Sequence, residues 1–424
     1  MKILIRSAEI IAPGNSLNKT IKNILIEDGI IKQITDEGNI EADKVVEGNN
    51  LKVSAGWFDM RVFTGDPGNE HKEDLTTVTN AAASGGFTGI AAMPDTNPPI
   101  HTKDVLAYVK TKAEKALVDV YPVAAVTLNL KGEELSEMID LHHEGAVAFS
   151  DGTKPVWHSD VLLKTLQYLQ KFNGLLINHA EDKLLSHSGQ MNEGKVSTRL
   201  GLKGLPKLAE ELMVERDLRI LEYAGGKIHF AHVSSPVSLE LIKAAKKKGL
   251  QVTCDIAAYQ LALSDAELSS FDTNLKVNPP LRTASDIKAF WKAIDNNTID
   301  VIVSDHSPQD IESKFLEFDL AEFGMIGLET AFAVVNTWNK TLSVEDIIDK
   351  IALAPRKILG LPIPDIAEGA PANLTVFNAD AEWEFGKKHI KSKSANSPFV
   401  GKKLKGHAVA VFNKGRYFVN ENFL

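Results

Sequence analysis

The stretch Trp57-Phe-Asp-Met-Arg-Val-Phe-Thr-Gly-Asp-Pro-Gly68 joins an apolar run to a Pro-Gly turn. An apolar run of this length, bounded by turn residues, is typical of a buried β-strand. The chain that follows is organised as repeats of such a strand and an amphipathic helix. The stretch therefore predicts the first strand of an α/β domain.

Short apolar runs alternate with amphipathic helical segments through the middle of the chain. The predicted strands are Gly56–Val62, Gly89–Met93, Val118–Val126, Ala146–Phe149, Leu175–Asn178, Lys227–Ala231, Leu250–Cys254 and Ile299–Val303. The predicted helices are Leu75–Ser84, Thr102–Leu117, Gly132–His142, Ser159–Phe172, Ala209–Tyr223, Pro236–Lys248 and Ser285–Ile294. Eight strands separated by helices favour an α/β, (β/α)8 barrel. A doubly wound sheet is the alternative, but the glycine-rich phosphate loop common after its first strand is absent.

Both ends of the chain have a different pattern, one of β-strands without helices. Two apolar runs flank Asp28-Gly29, a signal of a tight hairpin, and three further runs follow residue 372. The N-terminal strands carry too little apolar surface for a core of their own. We therefore predict a barrel domain of residues 55–365 and a β-sandwich-like satellite domain of residues 1–54 plus 366–424.

Composition narrows the class of protein. With 44% hydrophobic and 24% charged residues the chain is an ordinary globular protein, and its formal charge of −9 argues against nucleic-acid or anionic-membrane surfaces. The single cysteine, Cys254, excludes an internal disulfide and suits a reducing cytoplasm. The early charges of the N-terminus do not fit a signal peptide, and no apolar run approaches a membrane span of about 20 residues.

Four polar residues follow four different predicted strands. They are Asp151, His179, His232 and Asp305, and the carboxyl ends of barrel strands form one rim. Imidazoles and carboxylates are ligands that Zn²⁺ prefers, and a carboxylate beside bound water can act as a general base. Each residue alone also fits a structural role, as a hydrogen-bonded loop histidine, a turn or a helix cap. Strand seven is expected to end near Asp255.

Several motifs resemble the dihydroorotase family of the amidohydrolase superfamily, especially its longer bacterial type. They are Lys72-Glu-Asp-Leu, Ala81-Ala-Ala-Ser-Gly-Gly-Phe-Thr88, Met93-Pro-Asp-Thr-Asn-Pro98, Asn178-His-Ala-Glu-Asp182, Ala231-His-Val-Ser234, Asn278-Pro-Pro-Leu-Arg282, Ser304-Asp-His306, Gly327-Leu-Glu-Thr330 and Ser394-Ala-Asn-Ser-Pro-Phe399. The resemblance implies a TIM-like barrel of the amidohydrolase type. It also implies a binuclear zinc site, in which a His-x-His pair after strand one and the strand-eight aspartate hold one metal.

By the same resemblance, Asp151 would bridge the metals, His179 and His232 would hold the second, and Asp305 would be the general base. The His-x-His positions, however, are Arg61 and Phe63. The family residues that bind the substrate carboxylate are replaced by Gly65, Asp95 and Gln309. The substrate-binding Asn278 is kept. The Pro-His-His sequence that the family has at strand seven is Ala258-Tyr-Gln260 here. A remnant zinc site of Asp151, His179 and His232 stays chemically feasible.

These departures leave three hypotheses. The first is a dihydroorotase-like protein of pyrimidine biosynthesis that no longer hydrolyses dihydroorotate, similar to degenerate homologues that are structural partners of aspartate carbamoyltransferase. The second is an active zinc cyclic amidohydrolase with one metal and an altered substrate. The third is an ordinary dihydroorotase with ligands recruited elsewhere. We further expect Arg61 to pair with Asp305 or Asp151 in place of the first metal. A cytoplasmic homo-oligomer is expected, without nucleic-acid or membrane partners.

Overall fold

The computed structural model describes residues 1–423. Its strands are β1 Lys2–Ile11, β2 Ile21–Glu27, β3 Ile30–Thr35, β4 Lys44–Val46, β5 Leu51–Ala55, β6 Trp57–Val62, β7 Phe87–Ala92, β8 Asp119–Ala124, β9 Ala148–Phe149, β10 Leu176–Asn178, β11 Met191–Asn192, β12 Gly204–Leu205, β13 Ile228–Phe230, β14 Val252–Ala257, β15 Val301–Val303, β16 Leu374–Glu384, β17 Lys403–Asn413 and β18 Arg416–Val419.

Helices alternate with the strands of the central region. They are α1 Leu75–Gly85, α2 Lys103–Ala113, α3 Met138–Glu144, α4 Ser159–Leu169, α5 Lys195–Leu200, α6 Lys207–Ala224, α7 Pro236–Lys247, α8 Ala284–Asp295, α9 Ile311–Lys314, α10 Ala331–Trp338, α11 Val344–Ile348 and α12 Ala354–Leu359. None of these helices is both long enough and apolar enough to cross a lipid bilayer, within the residues described.

The central strands form a nearly closed parallel barrel, so the predicted fold class is confirmed. The order is β6-β7-β8-β9-β10-β13-β14-β15, and the last strand returns to the first through a parallel bridge between Val62 and His306. Asp59 strengthens this closure from within β6, because its Oδ2 accepts the backbone N–H of Ser304 at 2.8 Å. Burial raises the pKa of Asp59 to about 6, although the hydrogen bonds from Ser304 and from the backbone N–H of Arg61 favour its charged form.

Strands from both ends of the chain form a second sheet, in the order β18-β17-β16-β5-β1-β2-β3 with β4 beside β1. β16 pairs antiparallel with β5, so that Thr375 lies opposite Ser54. Trp57 connects this sheet to the barrel, since its buried ring lies 4.7 Å from Phe332 of α10 and 5.3 Å from Phe377 of β16. The domain boundaries at 54/55 and 365/366 stay predictions.

One local prediction is wrong, and the end of another element is shifted by two residues. The helix predicted at Gly132–His142 begins only at Met138, because the preceding residues form a loop in which Thr127 bridges to Leu135. Strand seven continues past Asp255 to Ala257, and the side chain of Asp255 is used inside the barrel by His229 at 2.9 Å. The Asp28-Gly29 hairpin is confirmed, since both residues have the positive φ of a type I′ turn, 50° and 81°.

Candidate functional site

A cavity of about 390 Å³ opens at the carboxyl ends of the barrel strands. This is the end at which barrel enzymes carry their chemistry. Its lining residues come from many different loops. They are Arg61, Phe63, Gly65, Asn69, Lys72, Asp95, Thr153, His179, His232, Tyr259, Val277, Asn278, Asp305, Ser307, Pro308, Gln309, Glu322, Phe323 and Gly324.

Arg61 lies near the end of β6 and turns into this cavity. Its Nε donates to Oδ1 of Asp305 at 2.9 Å, and the two side chains are 1% and 6% exposed. The guanidinium carbon lies 5.3 Å from the ring centroid of Phe63, within cation–π distance. The expected pairing of Arg61 is therefore confirmed, with Asp305 as its partner.

Asp305 follows β15 and is bound on both oxygens. Besides Arg61 on Oδ1, its Oδ2 accepts the hydroxyl of Tyr259 at 2.5 Å and lies 3.4 Å from Nδ1 of His232. Burial opposes ionisation, but His232, the Arg61 charge and the Tyr259 hydroxyl hold the pKa of Asp305 at about 2. Asp305 is thus a charged, fully partnered carboxylate at neutral pH.

His232 and His179 contact each other directly. Nε2 of His232 lies 2.8 Å from Nδ1 of His179. Burial and the Arg61 charge lower the pKa of His232 to about 4, so that its ring is neutral at pH 7. A neutral His232 donates through Nδ1 to the Asp305 carboxylate, and its Nε2 must then accept from His179; this tautomer is assigned from the hydrogen-bond network.

This arrangement does not fit a zinc ion. At Zn–N distances of 2.0–2.1 Å, two nitrogens of one tetrahedral zinc lie about 3.3 Å apart, and both point lone pairs at the metal. Here the facing nitrogens are 2.8 Å apart and hydrogen-bonded to each other. Across residues 1–423, no three His, Cys, Asp or Glu side chains are grouped as ligands of one ion.

Asp151 does not join the other three residues of the predicted metal set. It lies just after β9 and is 1% exposed, and both of its oxygens are used by Thr127. Oδ1 accepts the backbone N–H of Thr127 at 2.9 Å, and Oδ2 accepts its hydroxyl at 2.5 Å. Burial raises the pKa of Asp151 to about 6 despite these bonds. The structure therefore brings together His179, His232 and Asp305, while Asp151 faces Thr127.

Glu181 extends the chain of polar groups beyond His179. Its Oε2 lies 3.4 Å from Nε2 of His179, an ion-pair distance without hydrogen-bond geometry. Burial opposes ionisation of Glu181, but His179, Ser186 and Asn278 lower its pKa to about 2. Asn278, the predicted substrate-binding residue, lines the cavity beside this carboxylate.

The three altered substrate positions also line the cavity, and each is constrained. Gly65 has a φ of +67°, and a Cβ there would lie 2.5 Å from the backbone oxygen of Glu73. Asp95 uses Oδ2 to accept both the N–H and the hydroxyl of Thr153, at 2.8 and 2.7 Å. Gln309 accepts from Nζ of Lys72 at 2.6 Å and donates to a backbone oxygen.

Three residues of the site have no role predicted from the sequence: Tyr259, Thr127 and Glu181. Tyr259 differs from the family motif, but that difference alone assigns it no function. The hydroxyl of Tyr259 donates to Asp305, 46 residues away, and that of Thr127 donates to Asp151, 24 residues away. No local sequence pattern identifies such distant pairs. The available signal for Glu181 is its position two residues after His179 at a strand end.

Comparison with known proteins agrees with this architecture. A family model described as "Dihydro-orotase-like" matches residues 52–238. The chain is 39% identical to a dihydroorotase of Geotalea daltonii, over 98% of this chain and 99% of that protein. It is 40% identical to a dihydroorotase of Acetivibrio thermocellus over the full length of both. An L-hydantoinase structure from Arthrobacter aurescens superposes with a TM-score of 0.86 at 23% identity, covering 99% and 96% of the two chains, which supports the fold.

Proposed function

Because this chain belongs to the dihydroorotase family of the amidohydrolase superfamily, we propose that it serves pyrimidine biosynthesis without hydrolysing dihydroorotate itself. We infer that its role there is that of a structural partner of aspartate carbamoyltransferase. The observation that carries the loss of activity is the 2.9 Å pair between Nε of Arg61 and Oδ1 of Asp305. A cation of the protein itself compensates the carboxylate that the resemblance assigns to metal binding and proton transfer.

The state of Asp305 supports this proposal. A general base works best when its pKa lies near the operating pH. The pKa of Asp305 is about 2, and Arg61, Tyr259 and His232 contact its two oxygens. Such a carboxylate is a weak base, and taking up a proton would break the ion pair with Arg61.

The loss of the carboxylate clamp is a second support. An arginine at position 65 would need space that the backbone of Glu73 and Asn69 already fills, since their oxygens lie 2.5 and 2.9 Å from the point that a Cβ would occupy. Gln309 is bound to Lys72 and to the backbone of Phe323. Position 65 therefore supplies no arginine to hold the dihydroorotate carboxylate where the family holds it.

A structural role needs an intact fold and a surface for the partner. Segment 311–320 carries four exposed apolar side chains, namely Ile311, Phe315, Leu316 and Leu320 at 78%, 87%, 45% and 62% exposure. Exposed apolar side chains close together are typical of protein–protein contacts. We propose this segment as the contact with the transcarbamoylase. The single buried cysteine fits a cytoplasmic location for such a complex.

A second candidate is an active zinc cyclic amidohydrolase with an altered substrate. The observation in its favour is the cavity itself, which keeps His179, His232 and Asn278 on its wall. For one zinc to bind there, the hydrogen bond between the two histidines would have to break.

One preparation tests both candidates. Zinc per chain is measured by elemental analysis, and turnover of dihydroorotate is assayed on the same sample with and without added zinc. We expect substoichiometric zinc and turnover no faster than a blank without protein. Bound zinc with turnover near that of the Geotalea daltonii relative would refute the proposal.

Co-purification tests the partner. The tagged chain is expected to retain aspartate carbamoyltransferase from its own organism on an affinity column, and Phe315→Ser is expected to weaken that retention. Leu184→Ser, at a site 81% exposed in another loop, is the matched control and should retain the partner. Equal loss in both variants, or no retention by the unmodified chain, would contradict the partner assignment.

A further inference from the structure

The guanidinium of Arg61 has donors that the protein leaves unused. Its Nε is paired with Asp305, but Nη1 and Nη2 have no hydrogen-bond partner among residues 1–423. The side chain is only 1% exposed and lines the cavity. A buried donor without an acceptor is unfavourable, and more so when it is charged. The two Nη groups form a fork that matches the two oxygens of a carboxylate.

Two acceptors in the same cavity are also unused. Asp95 is buried and holds Thr153 through Oδ2, so that its Oδ1 is left without a partner within residues 1–423. Asn278 lines the same cavity, and its Oδ1 is likewise without a partner within residues 1–423. The cavity thus combines a fork of cationic donors with a carboxylate oxygen and an amide oxygen.

The charges of these groups limit the ligand further. Arg61 and Asp305 compensate each other, whereas Asp95 has no cation within ion-pair distance among the pairs of residues 1–423. A ligand with only a negative charge would add a second anion to Arg61, which Asp305 already compensates. It would also leave the charge of Asp95 without a partner. A ligand that brings one negative and one positive group satisfies both ends, since a buried charge without a partner is costly.

The wall of the cavity is held in place before any ligand binds. Nζ of Lys314 donates to the backbone oxygens of Thr273 at 2.9 Å and Glu322 at 2.6 Å. Nζ of Lys276 donates to the oxygen of Phe318 at 2.8 Å and lies 4.8 Å from the ring centroid of Phe323. These two lysine side chains join segments 273–278 and 314–324, of which residues 277–278 and 322–324 line the cavity. A wall fixed in this way reduces the entropy lost on binding.

We propose that this cavity is a metal-independent binding site for a small zwitterion, a carboxylate with an ammonium group, as in a free amino acid. The carboxylate binds Nη1 and Nη2 of Arg61, and the ammonium binds Oδ1 of Asp95 and Oδ1 of Asn278. This inference rests on the proposed function, because Arg61 must stay where the resemblance places a metal. The ligand is bound and released unchanged.

Isothermal titration calorimetry of the full chain after chelator treatment tests the proposal, with each common L-amino acid as a probe. We expect saturable binding of at least one. Its methyl ester and its N-acetyl form, which lack the carboxylate and the ammonium respectively, should each bind at least about tenfold more weakly, the loss expected for one charged hydrogen bond. Binding of the N-acetyl form as tightly as the free amino acid would overturn the zwitterion assignment.

Two variants locate the site. Asp95→Asn keeps the shape of the side chain and removes its charge, and it should weaken binding about tenfold or more. Arg61→Met should abolish binding, with Arg219→Met on the exposed face of α6 as the matched control. Because Arg61→Met also loses a buried ion pair, its fold is checked by circular dichroism. If Arg61→Met is unfolded, the binding measured for Asp95→Asn decides the test. Unchanged binding in Asp95→Asn would overturn the proposal.

The outcomes separate this inference from the proposed function. No binding of any amino acid, together with no dihydroorotate turnover, refutes the inference and leaves the proposed function standing. Zinc-dependent turnover refutes the proposed function and, with it, the metal-free site. Amino-acid binding in the chelated chain without turnover supports both.

Discussion

Arg61 and Asp305 form a buried ion pair across the closure of the barrel, with Nε 2.9 Å from Oδ1. Arg61 lies near the end of the first barrel strand, and Asp305 follows the last one. The pair lies at the position where the resemblance expects a metal ion to join the same two strands. The ion pair therefore joins the first and last barrel strands, and it also takes the place of the expected metal ion.

Removing the cation should destabilise the protein strongly. In Arg61→Met, Asp305 keeps Tyr259 and His232 but loses its compensating charge, and breaking a buried pair on one side costs roughly 3–5 kcal/mol. Urea unfolding followed by tryptophan fluorescence measures the change. Arg219→Met, whose side chain is 76% exposed, should change stability by less than about 0.5 kcal/mol. An equal effect in both variants would show that the pair has no special role.

Restoring the metal ligands should restore metal binding but not activity. In the double variant Arg61→His with Phe63→His, the cation leaves and two imidazoles are added beside His179, His232 and Asp305. We expect zinc uptake, measured per chain by elemental analysis, to exceed that of the unmodified chain. Dihydroorotate turnover should stay at the blank level, since Gly65, Asp95 and Gln309 are unchanged. Turnover in the double variant would mean that those three positions still bind the substrate.

Glycine is required at position 65 for space as well as for conformation. Gly65 and Gly360 have nearly equal φ angles, +67° and +69°, but a Cβ at Gly360 meets no atom within 4 Å. Gly360→Ala should therefore cost about 1–2 kcal/mol, for the left-handed backbone alone. Gly65→Ala adds a clash with Glu73 and Asn69, and its unfolding free energy should fall further in the same assay. Equal losses would contradict the argument that position 65 cannot hold a clamp residue.

His407 should make the protein sensitive to mild acid. Burial lowers its pKa to about 4, and its ring stacks on Phe423 at 3.7 Å. Between that pKa and the unfolded value near 6.5, the unfolded chain binds more protons, so stability falls as the pH drops through this window. The loss approaches about 3 kcal/mol at pH 4, at about 1.4 kcal/mol per pH unit.

The variant His407→Phe keeps an aromatic ring and removes the titration. Its unfolding free energy, measured from pH 7 to pH 4, should lose less than that of the unmodified chain. His143→Phe, at an exposed position on α3, is the control and should leave the pH dependence unchanged. Parallel curves for His407→Phe and the unmodified chain would contradict the assignment.

Much of the fold could be predicted from the sequence because its signals are local. Apolar runs with turns between them located the eight barrel strands, to within a few residues at most ends. Asp28-Gly29 predicted its hairpin since both residues tolerate positive φ. The helix predicted from Gly132 to Glu137 is absent because the prediction used only the local helical pattern. The bridge between Thr127 and Leu135 holds these residues in a loop instead.

The sequence by itself determined which chemical groups are missing. Arginine and phenylalanine at positions 61 and 63 exclude two imidazole ligands whatever the fold does. Only the tertiary structure decided how the remaining groups respond. Arg61 meets Asp305, 244 residues away, while Asp151 turns to Thr127 and His179 bonds to His232. The physical reason is that closure of the barrel sets these distances, and each buried charge is then stabilised by the partner that closure places within reach.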